Sequence, residues 1–303
     1  MPDYSLQTFP SFDGTPISYL DSGPGDRVAL LLHGFLVDGV INFGPAEGIV
    51  AMMTSLAVPG APPANSAIDP AGRVGVAARL VEAGFRVLVP DMRGHGHSGK
   101  PTSAAGYQGR AMARDMVALL DRLGVDQADL LGYSMGSVTT AHLIALAPAR
   151  VRSAVLGGIG AYIVAGEPMD LPPEFPIPDS VPRPLTFKGF AEYSAAILDG
   201  SAPAEGFGAL YAILADQLGV DRRVAAGVLR GQLSDAVTPE ALRAFERPVM
   251  VANGDQDAAA VRSERGFEKY LPRVTFARCR GDHLSAVLDP GFHAAVVRHF
   301  VSA

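Results

Sequence analysis

Short runs of β-branched and aliphatic residues recur along the chain and alternate with longer Ala-rich stretches whose apolar positions fall three or four residues apart. The first pattern suits strands buried on both faces, the second helices with one apolar stripe. Together they predict an α/β fold with a mostly parallel sheet covered by helices on both faces. Residues 4–9 and 17–20 read as an opening hairpin around Phe12-Asp13-Gly14-Thr15, since Asp-Gly favours a tight turn. Buried strands are predicted at 28–32, 85–89, 129–131, 153–156, 248–252 and 274–277. Between them fall helices at 71–83, with Asp69 as cap, Pro70 in the first turn and Gly84 past the end, and at 107–123. Met112, Met116, Leu119, Leu120 and Leu123 give the second of these its core stripe. Further helices are expected at 137–147, stopped by Pro148, and at 292–300.

Two stretches break this rhythm. The connection at about 36–68 far exceeds the few residues usual between a strand and its helix, and so reads as an insertion. From about 158 to 235 a Pro-rich segment, 167–184, leads into helical patterns carrying Phe187, Phe190, Tyr193, Phe207 and Tyr211. The expected organisation is a core of 1–157 and 236–303, with a helical cap at 158–235.

Composition narrows the class. Apolar residues make up 48% and charged residues 18%, enough for a sizeable core, which excludes general disorder. The net charge of −6 comes without a run of Lys or Arg, so neither nucleic acid nor an anionic membrane surface has a landing patch. No apolar run is long enough to span a bilayer, and the first residues lack the pattern of a signal peptide; a soluble, cytoplasmic protein is expected. The single cysteine, Cys279, rules out an internal disulfide and a multi-thiolate metal site.

The strongest chemical signal is Gly132-Tyr133-Ser134-Met135-Gly136, a G-x-S-x-G segment between a predicted strand and a predicted helix. Glycines on both sides permit a turn so sharp that the Ser134 hydroxyl is held above the sheet at a helix N-terminus. A Gly-rich strand end with a helix-capping serine is the structural alternative. As a nucleophile, serine needs a base, itself oriented by a carboxylate. Seven histidines are available: His33, His95, His97, His142, His283, His293 and His299.

With Phe12-Asp13-Gly14, His33-Gly34-Phe35, the segment from Asp91 to Ser98, the nucleophile segment, Asn253-Gly254-Asp255-Gln256-Asp257 and Gly281-Asp282-His283 in this order, the chain resembles the α/β-hydrolase fold superfamily. The resemblance implies Ser134 as nucleophile, His283 as base and Asp257 as its acid, with Asp255 shaping the turn. By position alone either Asp255 or Asp257, both just past the strand at 248–252, could be that acid, and it is the resemblance that favours Asp257. It also implies an oxyanion hole from the N–H groups of Phe35 and Met135. The chain lacks the longer HGGG form of that loop, which by family analogy makes esters of bulky tertiary alcohols poor substrates. Asp91, His95 and His97 invite a metal reading, but glycines separate the histidines and no second ligand cluster follows, so no metal and no cofactor is expected. Arg93 is expected to hold that loop by hydrogen bonds, and Cys279 to be an inert strand residue.

Ester hydrolysis through an acyl-serine is the leading expectation, with thioesters, lactones and activated amides as mechanistic neighbours. Dehalogenases and epoxide hydrolases on this fold use an aspartate nucleophile, and the former also need tryptophan, which this chain lacks altogether. A cofactor-free perhydrolase, lyase or carbon–carbon bond hydrolase would use the same three residues; a non-enzymatic ligand receptor is the remaining class. The expected partner is a small hydrophobic substrate, contacted by Phe35, Tyr133, Phe187, Phe190, Tyr193 and Tyr211, with Phe207, Met52 and Met53 as further apolar surface.

Overall fold

A computed structural model describes residues 4–44, 75–173, 175–178, 181–206, 208–233 and 235–303. Eight strands form one sheet: β1 (Ser5–Pro10), β2 (Pro16–Asp21), β3 (Arg27–Leu32), β4 (Phe85–Pro90), β5 (Ala128–Tyr133), β6 (Val151–Gly157), β7 (Val249–Gly254) and β8 (Val274–Cys279). Their order is β1-β2-β4-β3-β5-β6-β7-β8, antiparallel between β1, β2 and β4 and parallel from β4 onward. The described helices are α1 (Gly39–Phe43), α2 (Val76–Glu82), α3 (Ala111–Arg122), α4 (Met135–Leu146), α5 (Phe187–Leu198), α6 (Gly208–Gln217), α7 (Arg222–Val228), α8 (Pro239–Arg243), α9 (Ala258–Ser263) and α10 (Pro290–Ser302). Among the described residues no helix is long and apolar enough to cross a membrane.

Alternation along the central strands divides the core into two layers. Leu30 and Leu32 of β3 join Leu130 of β5 in a cluster with Met112, Met116 and Leu119 of α3 and Val138 of α4. Ala29, Leu31 and Leu131 face the other way, onto Leu80 of α2 and Phe292, Val296 and Phe300 of α10. A strand apolar at every position can do this only when helices cover both faces.

The hairpin, the strands and the last helix fall where the pattern predicts them. The stripe of 107–123 is helical only from Ala111, because Gly109 (φ 64°) and Arg110 (φ 58°) both adopt left-handed backbone that an α-helix cannot continue. Tyr107 instead ends a short 3₁₀ turn, buried, its hydroxyl donating to Pro101 O at 2.7 Å. In the helix predicted at 71–83, α2 begins at Val76; Asp69 and Pro70, together with most of the 36–68 insertion, Met52, Met53 and Phe207, lie outside the described residues. The chain enters and leaves the 158–235 region side by side. Val164 and Val237 form a parallel bridge, with Ala165 N–H donating to Val237 O at 2.9 Å and Val237 N–H to Ile163 O at 3.1 Å.

Arg93 holds its loop as expected. Only 1% exposed, its guanidinium donates twice to Asp115, at 2.6 Å each, and to Asp13 and Gly106 O at 2.9 and 2.6 Å. Desolvation works against charging it, but the two carboxylates more than compensate and raise its pKa. Arg93→Met would leave Asp115 buried without its counter-charge, and is expected to destabilise the fold by about 3–5 kcal/mol, read as a lower denaturant midpoint. A midpoint within experimental error of wild type would show the pair to be dispensable.

Candidate active site

Strand β5 runs into α4 through Ser134, whose φ of 52° and ψ of −113° are strained for a residue with a Cβ. The turn closes this tightly because of its glycines: a Cβ on Gly132 would come within 2.3 Å of Gly136 O, and one on Gly136 within 1.8 Å of Leu32 O. Ser134 N–H donates to Gly157 O at 2.8 Å, and the Ser137 hydroxyl stands 2.8 Å from Gly157 O and 3.0 Å from Gly132 O, tying the turn to β6. Helix α4 therefore begins at Met135, two residues before the predicted start, and Ser134 is the residue on which the chain pivots.

The three residues implied by the resemblance meet across 149 positions of sequence. Ser134 Oγ lies 3.0 Å from His283 Nε2, and Asp257 Oδ2 lies 2.7 Å from His283 Nδ1. Asp257 also caps α9, its other oxygen 3.3 Å from Ala260 N–H. Burial works to raise this carboxyl, but the charge and hydrogen bond of His283 outweigh it and hold it below its usual range. For His283 burial opposes protonation, yet the facing Asp257 carboxylate lifts it above the ordinary imidazole value of 6.5. Asp255 shapes the turn as expected: its N–H donates to Cys279 O at 2.8 Å and its carboxylate accepts from Gly281 N–H at 3.0 Å.

Five of the six other histidines are engaged elsewhere. Buried His33 accepts from Met92 N–H at its Nε2 (2.9 Å), which leaves Nδ1–H to donate to Gly34 O (2.8 Å) and fixes the His33-Gly34-Phe35 turn. Asn42 Oδ1 accepts Gly34 N–H at 2.7 Å on the other side. This turn passes beside Ser134, since a Cβ on Gly34 would stand 3.7 Å from that of Ser134. Among the described residues, the backbone bonds of loops and caps give neither Phe35 N–H nor Met135 N–H a protein acceptor. His95 packs edge-on against His33 at 5.0 Å and burial drives its pKa to about 3. His142 bonds Asp235 O at 2.5 Å and His293 bonds Val287 O at 2.8 Å, both within buried surroundings. Asp91 receives the N–H of His97 at 2.8 Å and of Gly39 at 3.3 Å, so this loop uses its carboxylate as a brace. Among the described residues no three His, Cys, Asp or Glu side chains are grouped to share a metal ion.

Ser134, Asp257 and His283 open onto a cavity of about 360 Å³. Phe35, Met135, Phe187, Phe190 and Tyr211 line it. Tyr133 and Tyr193 do not. Successive strand residues face opposite sides, so Tyr133 points under the site, where it is 3% exposed and its hydroxyl donates to His283 O at 2.8 Å. Tyr193 turns its hydroxyl outward to Glu205 O at 3.2 Å. Ile159, Tyr162, Met169 and Gln256 also line the cavity and escaped the sequence reading. Burial pushes the Tyr211 phenol up to about 12, so it stays a neutral hydrogen-bond donor.

Tyr133 is thus a positioning residue for the His283 loop. Tyr133→Phe is expected to lower kcat about three- to tenfold with KM unchanged, the worth of one hydrogen bond; a matching rise in KM with kcat intact would place the hydroxyl in substrate binding instead.

A strained serine elbow between a parallel strand and its helix, with histidine and aspartate arriving from later strand ends, defines the class of α/β hydrolases. A family model described as "alpha/beta hydrolase fold" matches residues 61–198. The esterase RhEst1 from Rhodococcus sp. ECU1013 is 25% identical, with 99% of each chain covered and a TM-score of 0.61. An esterase from Exiguobacterium antarcticum is 17% identical, covering 99% of this chain and 100% of its own, with a TM-score of 0.65. Bifunctional epoxide hydrolase 2 of Sus scrofa is 39% identical over 74 residues, which are 24% of this chain and 13% of that protein. The chain thus has the α/β-hydrolase fold, and it spans only 13% of the length of the Sus scrofa protein that it matches.

Proposed function

We propose that the chain hydrolyses carboxylic esters of small, apolar, uncharged substrates through an acyl-Ser134 intermediate. The observation that carries this reading is the unbroken relay Asp257–His283–Ser134, at 2.7 and 3.0 Å, at the floor of an apolar cavity. Ser134 Oγ attacks the ester carbonyl while His283 Nε2 takes its proton, and Asp257 stabilises the imidazolium that forms. The carbonyl oxygen gains negative charge and is met by the N–H groups of Met135 and Phe35, fixed in place beforehand by the elbow and by His33. Collapse of the tetrahedral adduct breaks the bond to the alcohol, which leaves with the proton from His283. Water, deprotonated by His283, then attacks the acyl carbon and frees the acid and Ser134.

The relatives named epoxide hydrolases point to another bond. Opening an epoxide by covalent catalysis on this fold uses an aspartate nucleophile, and Ser134 occupies that place at the elbow; the sequence match to the Sus scrofa protein spans only 24% of this chain. Among the described lining residues the charged groups are Asp257, Asp282 and His283, with no Lys or Arg, which favours neutral over carboxylate-bearing esters. Initial rates on matched p-nitrophenyl esters, thioesters, lactones and a styrene-type epoxide test the assignment. Ester turnover well above the epoxide rate is expected, and an epoxide preference would overturn it.

A further inference from the structure

Beside the catalytic cavity lies a second of about 340 Å³, nearly the size of the first at about 360 Å³. Met169 and Phe175 line both, so their side chains are the wall between them. Leu171, Ile177 and Leu185 line the second cavity with four prolines, and its two charged members are engaged, Asp170 with Arg262 at 3.2 Å and Arg183 donating to Ile177 O at 3.5 Å. The backbone of the wall is anchored: Met169 N–H donates to Leu185 O and Phe175 N–H to Pro172 O, each at 2.9 Å. Above that fixed backbone, Met169 has an unbranched side chain with three rotatable bonds, able to change shape at little cost.

Pockets that enclose a whole small ligand run from about 300 to about 1,000 Å³. The first cavity alone stands near the lower end of that range and the two joined fall in its middle. From this shared side-chain wall we infer that a longer apolar arm of the ester, acyl or alkyl, displaces the Met169 side chain and ends in the second cavity. Met169 and Phe175 are then the residues that set substrate length. The inference builds on ester hydrolysis at Ser134.

Two parallel series test it: p-nitrophenyl esters of increasing acyl length, and acetates of increasing alkyl length. Leu171 touches only the second cavity, and Leu171→Trp fills it. Short esters, which do not reach Leu171, are expected to react as with wild type, while kcat/KM for long ones falls more than about tenfold, the loss of roughly two buried methylenes. Met169→Ala should shift the optimum to longer chains in the same series. If both variants keep the wild-type length profile in both series, the wall is fixed and the inference is wrong. Binding of methyl n-alkyl ketones to Ser134→Ala, followed by calorimetry, separates this from the chemistry. Affinity should continue to grow about fourfold per methylene past the length that fills the first cavity, and should stop growing there in Ser134→Ala/Leu171→Trp. That outcome without any ester turnover would remove the esterase reading and leave the partition standing; a plateau at the same length in both proteins would remove the partition.

Discussion

Ser134→Ala is expected to lower kcat for ester hydrolysis by about four to six orders of magnitude, with His283→Ala falling as far and the double variant little further. The non-additivity follows from the geometry. Ser134 Oγ has His283 Nε2 within reach at 3.0 Å, and in the proposed relay neither atom accomplishes the attack without the other. The fold should survive, because the turn is fixed by Gly132, Gly136 and the Ser134 and Ser137 bonds to β6 rather than by the Ser134 hydroxyl. Ser134→Gly should unfold at a higher temperature than Ser134→Ala, since only glycine adopts a φ of 52° with a ψ of −113° without strain. Single-turnover kinetics and thermal unfolding on the same preparations check both halves. Near-normal hydrolysis by folded Ser134→Ala would place the nucleophile elsewhere.

The pH profile carries the second large effect. Only neutral imidazole accepts the serine proton, and Asp257 raises the His283 pKa above its ordinary 6.5, so kcat/KM should rise with pH through a midpoint above 6.5. Below that midpoint His283 is protonated and activity is lost. Asp257→Asn removes the charge that raises the pKa, so the midpoint should move down; the rate should drop about 10⁴-fold, as when a serine triad loses its carboxylate. Asp255→Asn should leave the midpoint where it is, since Asp255 bonds Gly281 N–H and not His283. A flat profile between pH 5 and 9, or a midpoint unmoved in Asp257→Asn, would remove His283 or Asp257 from these roles.

The parts of this site that were legible from sequence are those in which local chemistry dictates the backbone. Gly132 and Gly136 must lack Cβ atoms for the elbow to close, and the β5 run before them and the Ala-rich helix after them have distinct periods. Asp257 and His283 lie on loops without periodicity, so their assignment rested on family likeness, and the structure sets them at 2.7 Å. The cavity-lining residues were the least legible. Aromatic side chains in a helical pattern signal burial without saying against what, which is why Phe187, Phe190 and Tyr211 reach the cavity while Tyr193 turns away to Glu205. Tyr133 was misread because proximity in sequence to Ser134 places it on the opposite face of β5. Met169 lies in the Pro-rich connection, where no period exists to reveal a facing direction, and Tyr162 follows β6 in a short 3₁₀ turn. For these, the end of a strand next to the elbow was the available signal, and it applied to Ile159 and Tyr162 alike.

The proposed acyl-Ser134 intermediate is open to direct trapping. Wild type mixed with excess p-nitrophenyl butyrate and quenched in acid within milliseconds should gain the mass of one butyryl group, localised by peptide sequencing to Ser134 and absent from Ser134→Ala and His283→Ala. An acyl adduct on Asp257 or any other side chain, with Ser134 unmodified in the same sample, would contradict a serine nucleophile.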